Sequence, residues 1–313
     1  MSKAVIVLAR ELPGAFVELL GQYGEVRVAE AGSPPASVFK DARIYVSTSV
    51  DAVAAATIAG LPSSVGLIAN VGVGIDHIDL AAVRARGIAV SNTPGVAEDT
   101  ADLAMALLLA ACRRTSAAER LLRDDNWALA QSLLGQRVHG KTLGIIGFGA
   151  IGQALARRAS GFDMSILYTG PNRKTDSEQA IGAEYRDSVA ALLAESDIVS
   201  LHCPLTTSTH HLINADTLQQ MKPGAVLINT GRGALVDENA LAAALSSGQL
   251  GAAGLDVFEF EPRVTPALLG LDNVTLLPHI GSATGECRIE MALRAAANIE
   301  AFLAGGKPLD NCA

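Results

Sequence analysis

The chain has 313 residues, of which 50% are hydrophobic and 18% are charged. Such a chain can bury a large core, and its length predicts about two domains. The formal net charge of -8 gives no basic surface, so we expect neither nucleic acid nor an anionic membrane as a partner. A small anionic ligand would need a local cluster of positive groups.

Three features of the sequence bear on location and on metal or disulfide chemistry. The apolar run at residues 4–9 is too short for the core of a signal peptide, so we expect a cytoplasmic protein. The longest apolar stretch, residues 103–112, falls short of the roughly 20 residues that cross a bilayer and predicts a core helix. The four cysteines are far apart without CxxC spacing, so we expect no metal site and no disulfides.

Short β-rich runs alternate with Ala-rich helical segments in two series, which predicts an α/β protein with two parallel sheets. The first series of predicted strands covers residues 5–8, 44–47, 66–69 and 88–91. The second series covers residues 143–147, 165–169, 198–202, 225–229, 251–257 and 274–277.

Helical patterns separate the two series and end the chain. Residues 99–123 carry Ala and Leu at helical spacing and predict one long helix. The last pattern, residues 286–303, has no strand after it, so we expect this helix to return to the first sheet. We therefore expect a discontinuous first domain of residues 1–97 and 285–313, and a second domain of residues 98–284.

A glycine-rich turn, Gly147-Phe148-Gly149-Ala150-Ile151-Gly152, follows a hydrophobic strand and opens a helix. In that context Gly147 permits a tight turn, Gly149 lets a pyrophosphate approach the backbone, and Gly152 allows close helix packing. The helix N-terminus supplies N–H donors for the phosphates. The pattern predicts dinucleotide binding, and the alternative is a βα turn without a ligand.

The end of the next strand bears on which dinucleotide is bound. An NAD enzyme usually has an acidic residue there, which binds the ribose 2'-hydroxyl. The sequence after Thr169 is Gly-Pro-Asn172-Arg173-Lys174, and we expect Asp176 and Glu178 to lie too far beyond the strand end. Arg173 and Lys174 can pair with a 2'-phosphate, so NADP(H) is favoured over NAD(H). The alternative is that both are solvated loop cations.

Three further motifs follow the ends of predicted strands. Arg232 lies in Asn-Thr230-Gly231-Arg-Gly, Glu261 follows Asp256 in Asp-Val-Phe-Glu-Phe-Glu-Pro, and His279 lies in Pro-His-Ile-Gly-Ser282. The carboxyl ends of parallel strands are where open α/β sheets bind ligands, so these side chains can converge. A guanidinium binds a carboxylate, an imidazole exchanges a proton, and a carboxylate fixes the imidazole tautomer.

Each of these residues also has an ordinary structural interpretation. An Arg after a strand commonly forms a surface ion pair, a lone His is more often structural than catalytic, and Glu before Pro is an ordinary loop residue. The predicted function therefore depends on all three lying together.

Several longer motifs resemble a known family. They are residues 71–79 (VGVGIDHID), 92–95 (NTPG), 100–104 (TADLA) and 202–206 (HCPLT), together with the glycine turn and the three motifs above. Through nearly its whole length the chain resembles the D-isomer-specific 2-hydroxyacid dehydrogenases, most closely their glyoxylate/hydroxypyruvate reductase branch. The resemblance implies transfer of a hydride between a nicotinamide cofactor and a small 2-keto or 2-hydroxy acid.

The resemblance also implies roles for particular residues. Arg232 would bind the substrate carboxylate, His279 would be the acid in reduction, and Glu261 would hydrogen-bond His279. Backbone amides near Val73 and Gly74 would hold the substrate, although a simple turn is the alternative there. The cofactor contacts implied by the family or by the strand ends are Thr100, Ala150, Ile151, Thr169, Asn172, His202, Cys203, Pro204, Thr209, Thr230, Gly231, Asp256, His279 and Ser282.

The implied architecture is two doubly wound domains, flavodoxin-like and Rossmann-like, around a cleft. The first would bind substrate and the second the dinucleotide, with homodimerisation through the nucleotide domain. Related reductases carry more aromatic and basic residues before the glycine turn than this chain does. Trp127 in this region either caps the substrate or packs between domains.

Two other functions fit the same pattern. One is a non-catalytic dinucleotide sensor, because the fold alone does not imply catalysis. The other is a phosphoglycerate-type dehydrogenase, although the chain ends at Ala313 without room for the regulatory domain that many members carry.

Overall fold

The computed structural model describes residues 3–29 and 37–313. The chain forms two compact units, one of Met1–Val96 with Ala283–Ala313 and the other of Ala97–Ser282. Each unit contains one parallel β-sheet with helices, which confirms the predicted α/β fold with two parallel sheets. Within the described residues, no helix is long and apolar enough to cross a membrane.

The first unit contains a five-stranded parallel sheet in the order β2-β1-β3-β4-β5, which is the flavodoxin-like order. Its elements up to residue 91 are β1 (Ala4–Leu8), α1 (Gly14–Gly21), β2 (Gly24–Val28), β3 (Ala42–Thr48), α2 (Ala55–Gly60), β4 (Leu67–Val71), α3 (Leu80–Ala85) and β5 (Ala89–Ser91).

The second unit contains seven parallel strands in the order β12-β11-β10-β9-β6-β7-β8. Counted from β6, its first six strands have the Rossmann order, and β12 extends one edge. Its elements are α4 (Ala97–Arg113), α5 (Thr115–Arg123), α6 (Trp127–Ser132), β6 (Thr142–Ile146), α7 (Ala150–Ser160), β7 (Ser165–Thr169), α8 (Thr175–Ile181), β8 (Ala183–Tyr185), α9 (Val189–Glu195), β9 (Ile198–Leu201), α10 (Ala215–Gln220), β10 (Ala225–Asn229), α11 (Glu238–Ser247), β11 (Leu250–Leu255), α12 (Pro266–Leu269) and β12 (Val274–Leu276).

The central strands read as continuous apolar runs because helices cover both faces of a parallel sheet. All five residues of β10 are buried, and so are the last four of β6. Strands β2 and β8 were not predicted. Both lie at sheet edges, where β2 is partly exposed and carries Glu25 and Arg27, and β8 has three residues. Neither produces a strong apolar pattern.

The prediction of one helix over residues 99–123 is wrong. The chain forms α4 and α5 instead, separated at Arg114, whose φ of 52° lies in the left-handed region. That backbone conformation ends the α-helical hydrogen-bond ladder, so the helix changes direction although the apolar spacing continues.

The last helix, α13 (Gly285–Leu303), belongs to the first unit. Its residues Ala295, Ala296 and Ile299 are buried in one apolar cluster with Ile6 and Leu67 of the sheet. Polar contacts hold the segment that follows α13. Buried Asn298 donates to the carbonyl of Asn92 and accepts the N–H of Asp310 at 2.8 Å, and Arg294 pairs with Asp310.

Candidate active site

The glycine turn between β6 and α7 has the backbone that only glycine fits well. Gly147 has a φ of 96°, and a Cβ there would lie 2.4 Å from the backbone nitrogen of Cys203. A Cβ on Gly152 would lie 2.4 Å from the carbonyl oxygen of Gly147. At Gly149, by contrast, no described atom lies within 4 Å of a Cβ position. The turn therefore leaves open space beside Gly149, directly before the first residue of α7.

Several polar groups of the second unit have the properties expected at a dinucleotide site. The first N–H groups of α7, from Ala150 onward, have no partner within the helix. Among the described residues, the buried Nδ1 of His202 and the buried Oγ1 of Thr230 form no hydrogen bond. Buried polar atoms normally have partners, so these two atoms are available to a polar ligand at the strand ends. These residues therefore fit a dinucleotide.

The loop after β7 was predicted to choose between NADP(H) and NAD(H). Thr169 is buried, whereas Asn172, Arg173 and Lys174 are exposed. Glu178 reaches the side chain of a β7 residue, and the expectation that it lies too far beyond the strand end for the ribose 2'-hydroxyl stays a prediction. Its carboxylate accepts a hydrogen bond from the hydroxyl of Tyr168 in β7 and forms a two-point ion pair with Arg173.

Arg232 follows β10, and a buried side chain holds its backbone. The Oδ1 of Asn229 accepts the N–H of Gly231 at 3.0 Å, and its Nδ2 donates to the carbonyl of Arg232 at 2.9 Å. Next in the chain, Gly233 packs against the backbone of Phe258, where a Cβ would be 1.8 Å from the carbonyl carbon. The guanidinium is half-buried and donates to the carbonyl of Gly231 at 2.8 Å.

Asp256 follows β11 and fixes the loop that carries His279. Its carboxylate is fully buried and accepts the N–H groups of Ile280 and Gly281, each at 2.8 Å. Its backbone carbonyl accepts the N–H of His279 at 2.7 Å. Burial raises the pKa of Asp256, although the two N–H donors act in the opposite direction. Both carboxylate oxygens therefore serve to hold residues 279–281.

Glu261 and His279 form the predicted pair. The Nδ1 of His279 lies 2.8 Å from Oε2 of Glu261, and Oε1 of Glu261 accepts the N–H of Phe258 at 2.9 Å. Burial acts to raise the pKa of Glu261, but hydrogen bonds from His279 and Phe258 and the charge of Arg232 outweigh it and lower the pKa. Glu261 is therefore ionised at neutral pH and accepts a hydrogen bond from Nδ1–H, which leaves Nε2 of His279 for chemistry.

The structure brings Arg232, Glu261 and His279 together at the carboxyl ends of β10, β11 and β12. Thr100 lies beside the loop that carries His279. A Cβ on Gly281 of that loop would be 3.4 Å from the methyl carbon of Thr100 and 3.2 Å from Oδ2 of Asp256. Ser282 follows directly in the chain.

The remaining predicted cofactor residues follow β9. Cys203 and Pro204 come after His202, and the hydroxyl of Thr209 donates to the carbonyl of Pro204 at 2.7 Å. This hydroxyl also accepts the N–H of Thr206 at 2.7 Å, so Thr209 shapes its own loop. A cofactor contact from Thr209 stays a prediction.

Val73 and Gly74 belong to the first unit, in the loop after β4. Asn92 donates to the carbonyl of Val73 at 2.8 Å, and Asn70 donates to the carbonyl of Gly74 at 3.0 Å. The loop is therefore fixed through its carbonyl groups. That its backbone amides hold substrate stays a prediction.

The structure adds two residues to the site that the sequence patterns do not single out, Asn229 and Glu178. It also contains a second His–Glu pair, in which Nε2 of His211 lies 2.8 Å from Oε1 of Glu259, two residues before Glu261. Side chains that act on a neighbouring backbone or on another side chain leave no distinctive spacing in one sequence.

Comparison with known proteins identifies the family. Residues 105–281, more than half of the chain, match the model of the D-isomer specific 2-hydroxyacid dehydrogenase, NAD binding domain. A glyoxylate reductase of Thermococcus litoralis is 44% identical over 98% of this chain and 96% of its own length. A glycerate dehydrogenase of Hyphomicrobium methylovorum is 39% identical over 97% of this chain and 98% of its own length.

The chain belongs to the D-isomer-specific 2-hydroxyacid dehydrogenase family. It is an NAD(P)-dependent oxidoreductase of 2-hydroxy acids, as the resemblance implied. Among solved structures, the NADPH-dependent glyoxylate/hydroxypyruvate reductase of Sinorhizobium meliloti, in complex with NADP and malonate, is similar with a TM-score of 0.91 and 34% identity, over 100% of this chain and 97% of that one. A glyoxylate reductase from Paecilomyes thermophila has a TM-score of 0.89 and 36% identity, over 99% of this chain and 98% of that one.

His202, which is half-buried and has a buried Nδ1, predicts a pH dependence of stability for this dehydrogenase. Burial lowers the pKa of His202 to about 4, whereas the unfolded chain titrates near 6.5. Between these values the unfolded chain binds a proton that the folded protein does not, so the free energy of unfolding falls as the pH falls through this window. We expect His202→Asn to lose less unfolding free energy than the original chain between pH 7 and pH 5 in guanidinium titrations. Equal losses in the two proteins would contradict this assignment.

Proposed function

We propose that this enzyme reduces glyoxylate or hydroxypyruvate to the corresponding 2-hydroxy acid, with NADPH as the favoured cofactor and His279 as the proton donor. The observation that carries the proposal is the Glu261–His279 hydrogen bond at the strand ends that also position Arg232. The substrate class follows the relatives, which are named glyoxylate reductases and a glycerate dehydrogenase.

In this proposal, Arg232 binds and orients the acid. A guanidinium presents paired N–H donors that match a carboxylate, so a 2-keto acid bound through its carboxylate has a fixed direction. Asn229 holds the Arg232 backbone, which limits the positions that the guanidinium reaches. Arg232 thereby holds C2 and the carbonyl oxygen of the acid in a fixed orientation, which lowers the entropic barrier to reaction.

His279 handles the proton. With Nδ1 donating to the ionised Glu261, a protonated imidazole offers Nε2–H to the carbonyl oxygen of the keto acid. Asp256 fixes the backbone of the same loop and so the direction of the ring. A reduced nicotinamide held beside the glycine turn would supply the hydride for C2 of the acid.

Substitutions at these residues test the catalytic assignment. We expect His279→Ala to lower kcat by about 1,000-fold, because a positioned general acid contributes that order of rate. We expect Arg232→Ala to lower kcat/KM by at least about 100-fold, because a charge-assisted two-point contact to substrate is lost. The rates are measured from NADPH absorbance with glyoxylate and hydroxypyruvate, and near-normal turnover of either variant would refute its role.

The second His–Glu pair supplies a matched control. Glu261→Gln removes the charged partner of His279 and should lower kcat by about tenfold or more. Glu259→Gln removes the charged partner of His211 at the same separation and should leave kcat unchanged. Equal effects of the two changes would assign the pairs to local structure.

The NADPH preference is proposed from the loop after β7. Residues 170–174 contain no acid that would repel a 2'-phosphate, and they carry the exposed Arg173 and Lys174. The Sinorhizobium meliloti relative is described as NADPH-dependent, which supports the same choice. The ion pair with Glu178 reduces the net positive charge around Arg173. The side chain of Arg173 is still 60% exposed.

Arg173→Ala tests the cofactor preference. We expect KM for NADPH to rise about tenfold and KM for NADH to change little, because the arginine interacts with the phosphate that NADH lacks. Arg137→Ala, which removes another exposed arginine of the same unit, serves as the control. A wild-type enzyme that prefers NADH would overturn the proposal.

The other site residues keep their predicted roles as part of this proposal. The glycine turn, Thr230, Ser282 and the loop at residues 202–209 would contact the dinucleotide, and the amides near Val73 and Gly74 would contact the acid.

If the protein binds NADPH or NADH but oxidises neither with any 2-keto acid, the sensor function is favoured instead. Turnover restricted to 3-phosphohydroxypyruvate would favour the phosphoglycerate-type alternative. A cytoplasmic location stays a prediction.

We also propose that the enzyme is a homodimer through its nucleotide-binding unit. Several apolar side chains on α5, α6 and the following loop are exposed, among them Trp127 at 67% and Leu134 at 86%. Exposed apolar groups clustered on neighbouring helices are typical of protein interfaces. A second copy of this chain is the partner that the family resemblance implies.

Light scattering after size exclusion tests the dimer. We expect the mass of two chains for the original protein and of one chain for Leu134→Glu, because a buried carboxylate opposes association. Leu309→Glu makes the same change at an exposed leucine of the first unit and should remain dimeric. A single-chain mass for the original protein would contradict the proposal.

A further inference from the structure

The guanidinium of Arg173 is held on two of its sides. Its Nε and Nη2 atoms donate to Oε1 and Oε2 of Glu178, each at 2.9 Å. Its central carbon lies 5.6 Å from the centroid of the Tyr185 ring, within range of a cation–π contact. An arginine that is 60% exposed is thus fixed in direction by one carboxylate and one ring.

Glu178 is itself anchored to the glycine turn. Its side chain is 13% exposed and accepts a hydrogen bond from the hydroxyl of Tyr168, whose oxygen accepts the N–H of Lys174 at 2.8 Å. The buried ring of Tyr168 stacks on Phe148 of the turn, with centroids 4.1 Å apart. Hydrogen bonds from Arg173 and Tyr168 keep the pKa of Glu178 below its usual value, so it is ionised at neutral pH.

The ion pair leaves part of the guanidinium available. An arginine has five N–H donors, and Glu178 accepts two from the edge formed by Nε and Nη2. Within the described part of the chain, Nη1 of Arg173 donates to no acceptor. A second anion can therefore bind at the outer edge, formed by Nη1 and Nη2, while Glu178 stays in place.

We propose that Glu178 is a positioning residue for NADPH, which holds Arg173 so that its outer edge meets the 2'-phosphate. The inference rests on the proposed NADPH preference. Without Glu178 the exposed arginine would lose side-chain freedom when the phosphate binds, and that loss weakens binding. The carboxylate of Glu178 also repels the 2'-phosphate. This repulsion acts across the guanidinium of Arg173 and through water, where salt screens it.

Calorimetric titration with NADP+ and NAD+ tests the proposal without turnover. We expect Glu178→Gln to raise the Kd of NADP+ by about threefold, as for loss of an exposed ion pair, and to leave the Kd of NAD+ unchanged. Asp176→Asn is the matched control. It removes the same charge from α8, and among the described residues Asp176 forms no ion pair with Arg173, so it should not weaken NADP+ binding. Unchanged or tighter binding of NADP+ to Glu178→Gln overturns the proposal.

A second variant guards against a folding defect. Tyr168→Phe keeps the stacked ring and removes the hydroxyl that holds Glu178, so NADP+ binding should weaken in the same direction. In steady-state kinetics both variants should raise KM for NADPH and leave kcat unchanged, which a general loss of structure would not do. A fall in kcat with no selective effect on NADP+ contradicts the positioning role.

A double-mutant cycle separates this inference from the proposed cofactor preference. In an Arg173→Ala background, Glu178→Gln should have no further effect on NADP+ binding, because the two residues act through one contact. If Arg173→Ala alone leaves NADP+ binding unchanged, the NADPH assignment fails. If Arg173→Ala weakens binding and Glu178→Gln does not, the assignment stands and the role of Glu178 fails.

Discussion

The candidate catalytic groups depend on the parallel pairing of the central strands of the second unit. Because β6, β9, β10, β11 and β12 run in one direction, their carboxyl ends lie along one edge of the sheet. The parallel pairing places residues more than 100 positions apart in sequence, from the glycine turn to His279, at that edge. The buried strands provide the stability, and the loops after them provide the chemistry.

Two buried polar side chains convert this alignment into fixed geometry. A buried amide or carboxylate is costly unless it is hydrogen-bonded, and Asn229 and Asp256 satisfy their polar atoms with the backbones of the active loops. These hydrogen bonds lower the free-energy cost of burying the two side chains. They also fix the loops, Asn229 that of Arg232 and Asp256 that of His279. Moving either loop would leave these side chains without partners, so the loops resist displacement.

The central strands, the glycine turn and the candidate site residues could be predicted because each leaves a local pattern, such as the apolar run before Gly147. The break at Arg114 could not, since the apolar spacing continues from α4 into α5 while one residue adopts a left-handed backbone. Edge strands such as β2 mix polar and apolar residues and resemble loops. The contact of Glu178 with Arg173 depends on how α8 folds back toward β7, which no spacing in the sequence encodes.

The two parts of the site differ in how they are held, and this difference separates catalysis from cofactor choice. His279 and Glu261 are fixed by backbone hydrogen bonds at the sheet edge, so they change only if the sheet changes. Arg173 is fixed by side chains in an exposed loop. A substitution in that loop alters the surroundings of Arg173 without moving His279. The fold therefore permits the loop after β7 to vary while the His279–Glu261 pair stays the same.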